Sequence, residues 1–181
     1  MESEAKTLVA DVSYFEPLEL HLREKPYISN VPFAETEGAW DNLNQVKHSQ
    51  EMVNIRGHED EFSFPQHGFQ YVQHSFSHSP TDHIHSLEHP YVKEVEEFLL
   101  ARFGASAIFV YDASIRKVGI DGYFQQADAA HIDHTEENCL WRLELAMKHL
   151  GLLGVQPRRF QIITAWRPLM KQVTSWPLAD A

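Results

Sequence analysis

Residues 130–150, AHIDHTEENCLWRLELAMKHL, and residues 159–169, RFQIITAWRPL, decide how this chain is read. In the first, a polar run carrying His131 and Asp133 gives way to a helical pattern. Thr135 suits an N-cap, Glu136 and Glu137 suit the positive end of a helix, and Leu140, Leu143, Met147 and Leu150 recur on one face. Lys148 and His149 stand near the negative end and Gly151 follows, so the spacing predicts a helix over 135–150. In the second, Phe160 to Trp166 is rich in β-branched and aromatic residues and ends before Pro168, which predicts a strand. Trp166 and Arg167 then project to opposite faces, one lining a pocket while the other packs or pairs, and spacing does not choose between them.

His131 and Asp133 are two residues apart. On a strand such residues share a face, while Ile132 and His134 point away. An imidazole and a carboxylate so placed are two of the three ligands of the facial triad that holds ferrous iron and leaves positions open. The alternative is a surface turn in which Asp133 or Thr135 caps the next helix. In a chain with 12 His and 26 acidic residues, His-x-Asp also arises by chance, so the surrounding residues have to decide.

Upstream, Ala107 to Tyr111 is a short apolar run that reads as a buried strand, and residues 112–129 form a loop into the His131 segment. Pro90 to Phe103 carries Val92, Val95, Leu99 and Phe103 at helical spacing, with Pro90 in the first turn and Gly104 as the cap. The histidines at 74, 78, 83, 85 and 89 invite a zinc reading. Interleaved serines and Pro80, and the absence of a cysteine, favour a polar loop. Phe62, Phe64, Phe69, Tyr71 and Phe76 bury large areas as core or pocket lining. Gln50 to Arg56 reads as a strand, residues 23–44 as an extended arm, and residues 7–20 as a short N-terminal strand broken by Pro17.

At 181 residues the chain fits one domain, 1–181, with a strand and arm over 1–49 and the body over 50–181. A net charge of −11 leaves no basic cluster to neutralise phosphates, which excludes a nucleic-acid partner. Cys139 is the single cysteine, so no internal disulfide forms and a reducing compartment suits the chain. No run approaches the roughly 18 apolar residues of a membrane span. The acidic first residues lack the apolar core of a targeting signal, so the expected location is cytoplasmic.

Taken in order, the segments resemble the fungal asaB hydroxylase/desaturase family, which is similar to gibberellin desaturase-like and cephem-methoxylase-like proteins among the iron(II)/2-oxoglutarate dioxygenases. The matching words are Asn54-Ile-Arg56, Phe62-Ser-Phe64, His67-Gly-Phe-Gln70, Tyr91 to Phe98, and Phe109-Val-Tyr-Asp112 with Arg116. The most specific are His131-Ile-Asp133-His-Thr135, Arg159-Phe-Gln-Ile-Ile163 with Trp166-Arg-Pro-Leu169, and Trp176-Pro-Leu178.

The resemblance implies an α+β fold: a partial double-stranded β-helix, jelly-roll-like, with flanking helices and an extended N-terminal arm. It implies Fe(II) and 2-oxoglutarate as cofactors, His131 and Asp133 as catalytic metal ligands, and Arg167 as the cofactor contact. Phe69, Tyr71 and Trp166 then line the substrate pocket of an enzyme that hydroxylates or desaturates a small secondary metabolite of a biosynthetic cluster. Family members continue past the Trp-Pro-Leu word into a segment with a distal histidine and a basic residue, so a C-terminally truncated, incomplete dioxygenase-like core is expected over 50–181. Thr164-Ala165 also replaces a more usual Asn-Val pair. An incomplete β-helix exposes strand edges, which predicts a homo-oligomer through such an edge. Two other functions are compatible: a degenerate member that binds or cyclises a metabolite without redox chemistry, and a non-catalytic partner of a full-length homologue.

Overall fold

A computed structural model describes residues 7–28, 41–80, 83–121, 127, 129–171, 173 and 178–179. It is a mixed α and β structure: strands β1 (Thr7–Phe15) and β2 (Gln45–Val53), then helices α1 (Phe64–His67), α2 (Pro90–Phe103) and α3 (Glu136–His149). Two compact units hold these elements. The first contains the described residues up to Gln73 together with 127 and 129–132, and the second contains 74–80, 83–121 and the described residues from Asp133 onward.

In the first unit β1 and β2 pair antiparallel, with Thr7 opposite Val53 and Phe15 opposite Gln45. Side chains of one parity share a face of such a sheet. On one face Ala10, Val12 and Tyr14 of β1 and Val46 and Met52 of β2 are half-buried; on the other Ser13 is half-buried while Val9 and Val53 stand exposed. Opposite Asp11, Ser49 donates its hydroxyl to the carboxylate at 2.7 Å. The other edge of β1 meets residues 129–130: Ser13 bridges Ala129, and the Ala130 N–H donates to the Ser13 carbonyl at 2.8 Å.

The second unit contains the two long helices. In α2 Pro90 takes the first turn, where its missing N–H costs nothing, and the His89 imidazole accepts the Tyr91 N–H. Gly104 ends the helix at φ 56°, a left-handed conformation that glycine adopts without strain, and donates back to the Ala101 and Leu100 carbonyls. In α3 the Thr135 hydroxyl accepts the Asn138 N–H, and Glu136 and Glu137 occupy the first turn. Residues 107–111 form neither helix nor strand and touch α3, with the Phe109 ring 4.6 Å from that of His149 and the Arg142 guanidinium 4.3 Å from the Tyr111 ring centre. Val92 and Ile115, at 3% and 6% exposure, are the buried apolar residues among those described.

The helices expected at 90–103 and 135–150 form within a residue of their predicted ends, and the strands expected in 7–20 and 50–56 lie in or overlap β1 and β2. The strands expected at 107–111, around His131 and at 160–166 do not form: among the described residues these segments make no ladder beyond the Ala129 bridge. Composition favours an extended chain there, but a strand also needs a neighbour to pair with, and composition says nothing of that neighbour. The described sheet is two-stranded and shows no double-stranded β-helix. Residues 29–40 of the expected arm, and Trp176, lie outside the described residues.

Candidate functional site

His131 follows the bridge to β1. Its Nδ1 lies 2.8 Å from the Ala129 carbonyl oxygen, which can only accept, so Nδ1 carries the ring proton and the lone pair lies on Nε2. A backbone carbonyl holding one ring nitrogen is how metal-binding imidazoles are commonly oriented. Because Ala129 is itself bridged to Ser13, strand β1 indirectly fixes where this imidazole starts. The neighbouring Ile132 is 84% exposed, so apolar packing does not hold this segment.

His131 belongs to the first unit and Asp133 to the second, and each is described in its own surroundings. Asp133 lies two residues before the Thr135 cap, and its Oδ2 accepts from the Thr164 hydroxyl at 3.5 Å, the long limit of such a bond. Thr164 belongs to the Thr164-Ala165 pair that replaces the more usual Asn-Val of the resembled pattern, and nothing in the spacing marked it as a neighbour of Asp133. Beside Asp133, the His134 Nε2 lies 2.7 Å from the Tyr111 hydroxyl. Arg142 of α3 stacks its guanidinium 4.3 Å from the Tyr111 ring centre and 4.8 Å from that of Trp141. The Arg142 Nε is buried without a hydrogen-bond partner, so these ring faces are its compensation.

Arg167 sits over two rings, 4.7 Å from Phe76 and 5.2 Å from Tyr91, and donates to the His78 carbonyl at 3.2 Å. The same loop is held from α2. Glu94 accepts the Ser77 and His78 N–H groups at 2.6 and 2.9 Å, and its Oε2 lies 3.0 Å from the His78 Nδ1. These donors, the Ser77 N–H foremost, lower the Glu94 carboxyl from 4.5 to about 2. A carboxyl depressed in the folded state helps above its ordinary range and stops helping as pH falls through the depressed value. Loop 74–80 is therefore expected to stay on α2 through mild acid and to release as the pH approaches about 2. Amide exchange of Ser77 and His78 followed by NMR checks this. In Glu94→Gln, exchange should be fast already at neutral pH and should lose the acid step.

Of the expected pocket residues, Phe69 and Tyr71 belong to the first unit. Phe69 stacks on Phe62 with centroids 5.1 Å apart, and Tyr71 meets the Phe69 ring edge to face at 5.9 Å. Trp166 belongs to the second unit, 54% exposed, with the Arg116 guanidinium 5.0 Å from its ring centre. The described histidines between 74 and 89 lie in a loop, as the serine and proline content predicts, with the His74 ring 4.4 Å from Phe98.

Among the described residues no group of three His, Cys, Asp or Glu side chains is placed to hold a metal ion. His131 and Asp133 fit ferrous iron in kind, a nitrogen and a carboxylate, and fall one ligand short of the facial triad. Glu94, Tyr111, Arg142 and Thr164 are contributors that spacing did not single out. Tyr111 stood inside the 107–111 run and the Phe-Val-Tyr-Asp word, Glu94 inside the Tyr91 to Phe98 word, Thr164 only as a departure from the resembled pattern, and Arg142 carried no local signal. No helix of the described residues is long and apolar enough to cross a membrane.

Comparison with known proteins gives the family. A dioxygenase of Aspergillus novofumigatus, Fe(II)/2-oxoglutarate-dependent dioxygenase nvfI, is 29% identical over 147 residues, which cover 76% of this chain and 52% of that protein. Hydroxylase/desaturase CTB9 of Cercospora beticola is 28% identical over 142 residues, 70% of this chain and 44% of its own length. Oxidoreductase AN1597 of Emericella nidulans is 25% identical over 140 residues, 71% of this chain and 47% of its own. The chain thus spans about half the length of these relatives. No solved structure matches it. The sequence profile described as "Oxidoreductase/YMDC permease-like domain" matches residues 12–181, nearly the whole chain, and the protein belongs to that oxidoreductase family.

Proposed function

We propose that this protein takes part in hydroxylating or desaturating a small secondary metabolite with ferrous iron and 2-oxoglutarate, as an oxidoreductase of the asaB type. The observation that carries the reading is the orientation of His131: its Nδ1–H donates to the Ala129 carbonyl, which leaves the ring lone pair on Nε2. Asp133, separated from it by Ile132 alone, is the matching carboxylate. The relatives named as an Fe(II)/2-oxoglutarate-dependent dioxygenase and a hydroxylase/desaturase support the same chemistry.

When bound, the iron and the keto acid would activate dioxygen, one oxygen atom ending in succinate as carbon dioxide leaves 2-oxoglutarate and the other serving to oxidise an unactivated C–H bond of the metabolite. The chain supplies His131 and Asp133 as metal donors and Arg167 as the cation for the cofactor. Phe69, Tyr71 and Trp166 are the aromatic side chains that the reading assigns to the substrate. The single cysteine is in keeping with action in the cytoplasm. Self-association through β2 belongs to the same reading, because β2 pairs only with β1 among the described residues. Purified protein given ferrous iron, 2-oxoglutarate and candidate metabolites is expected to release succinate together with oxidised product. A folded, iron-loaded sample that produces neither across a broad metabolite panel contradicts the reading.

A further inference from the structure

Residues 16–44 connect β1 to β2, and the described parts of this connection are tied together at its base. Past the last strand pair, the Glu16 N–H donates to the Asn44 carbonyl at 2.8 Å and the Asn44 side-chain amide donates to the Glu16 carboxylate at 3.0 Å. Asn42 then gathers the outgoing chain. Its Oδ1 accepts the Tyr27 N–H at 2.8 Å, its Nδ2 donates to the Lys25 carbonyl at 3.1 Å, and Ile28 bridges Asp41.

His21 joins the two sides. Its Nδ1 lies 2.9 Å from the Leu18 backbone nitrogen, and its Nε2 lies 2.8 Å from the carbonyl oxygen of Asn42, 21 positions along the chain. Each partner has a single role, since an N–H donates and a carbonyl oxygen accepts. Nδ1 therefore accepts and Nε2 carries the ring proton, which makes the imidazole neutral and fixes its tautomer. The His21 N–H also donates to the Leu18 carbonyl at 2.9 Å, so His21 holds both backbone groups of Leu18 and closes the turn Glu19–Leu22. The ring is half-buried, with the Phe15 ring centre 5.1 Å away.

An imidazolium has an N–H on both nitrogens and no lone pair. Protonating His21 sets one N–H against the Leu18 N–H, so that bond is lost, while Nε2–H keeps the Asn42 carbonyl. The titratable groups on the segments around the ring are Glu19, Arg23 and Glu24 on its own turn, Glu16 after β1, and Lys25, Tyr27 and Asp41 in the chain that Asn42 gathers. Glu16 is engaged by Asn44, and Asp41 accepts the Leu43 N–H at 3.0 Å. Among the described residues no carboxylate bonds to the ring, so none replaces the lost acceptor.

We propose that His21 is a pH-sensitive buckle: when neutral it fastens the Glu19–Leu22 turn to the residues leading into β2, and acid releases it at Leu18. The closed form needs the unprotonated ring and opening takes up one proton, so the buckle is closed on the alkaline side of the imidazole range and opens as pH falls through it. This inference stands apart from the oxidoreductase reading and from His131 and Asp133.

The test follows the isotope-labelled whole chain by NMR from about pH 8 to about pH 5, the range in which imidazoles change charge. It reads the His21 ring nitrogens and the protection factor of the Leu18 amide, which is its exchange relative to an unstructured chain at the same pH. On the alkaline side the wild-type ring should carry its proton on Nε2. Leu18 protection should then fall by up to about tenfold per pH unit as the ring takes up its second proton. His21→Ala, with circular dichroism confirming its fold, should leave Leu18 unprotected throughout. His21→Gln, whose amide oxygen accepts without titrating, should keep part of the protection and lose its pH dependence. A neutral ring protonated on Nδ1, or wild-type Leu18 protection that stays constant across the range, overturns the proposal. So does a pH dependence that persists in His21→Gln.

Discussion

His131→Ala is expected to reduce succinate release from 2-oxoglutarate by more than about 100-fold in a protein that still folds. The scale follows from comparison with weaker lesions. Losing a partner that only orients a metal ligand typically costs about 10–100-fold in affinity or activity, and losing a ligand atom exceeds that. The variant should fold because His131 is exposed and its described hydrogen bond is to Ala129, its near neighbour in the chain. The bridge from Ser13 to Ala129 uses backbone alone and survives the substitution. Asp133→Asn should act in the same direction, since it removes the charge that a hard divalent ion requires while keeping the shape that Thr164 contacts. The check is succinate measured against enzyme concentration for wild type and both variants, with circular dichroism to confirm folding.

Ile115→Ala is expected to destabilise the second unit by about 2–5 kcal/mol, through lost transfer free energy together with the cavity left behind. Ile115 is 6% exposed and, with Val92 at 3%, is one of the two buried hydrophobic residues among those described. A domain's whole stability is only about 5–15 kcal/mol, which makes this one side chain a large fraction of it. For a chain of this length such a loss lowers the melting temperature by about 4–20 °C. Leu153, 65% exposed, is the control: its replacement by Ala should change stability by less than about 0.5 kcal/mol. Thermal melts of the three proteins decide the matter, and equal melting temperatures for Ile115→Ala and Leu153→Ala would contradict this account of the core.

The helices were legible because their signals are local. Thr135 with two glutamates after it, and Pro90 with Gly104 fourteen residues later, mark ends whose hydrogen bonds close within a turn. The strands were half legible. β-Branched and aromatic content pointed to extended chain at 7–15, 107–111 and 160–166 alike, yet among the described residues the ladder is that of β1 with β2. Nothing within 160–166 states whether another strand lies beside it.

The candidate site divides the same way. The His-x-Asp run and the aromatic cluster around Phe62 and Phe69 were visible as residue types at a spacing. What surrounds them was not. Arg167 reaches His78 across 89 positions of chain, and Tyr111 reaches His134 across 23. Such contacts follow from tertiary packing, which no periodicity encodes. For His134 the expected orientation, away from the ligand pair, rested on strand alternation, whereas the structure supplies a hydrogen bond instead.

Equilibrium binding of ferrous iron under anaerobic conditions tests the central claim most directly, because it asks whether His131 and Asp133 are donors before any substrate is known. The account predicts one ion per wild-type chain, with affinity falling by more than about 100-fold in both His131→Ala and Asp133→Asn. Equal affinity in all three proteins would contradict it.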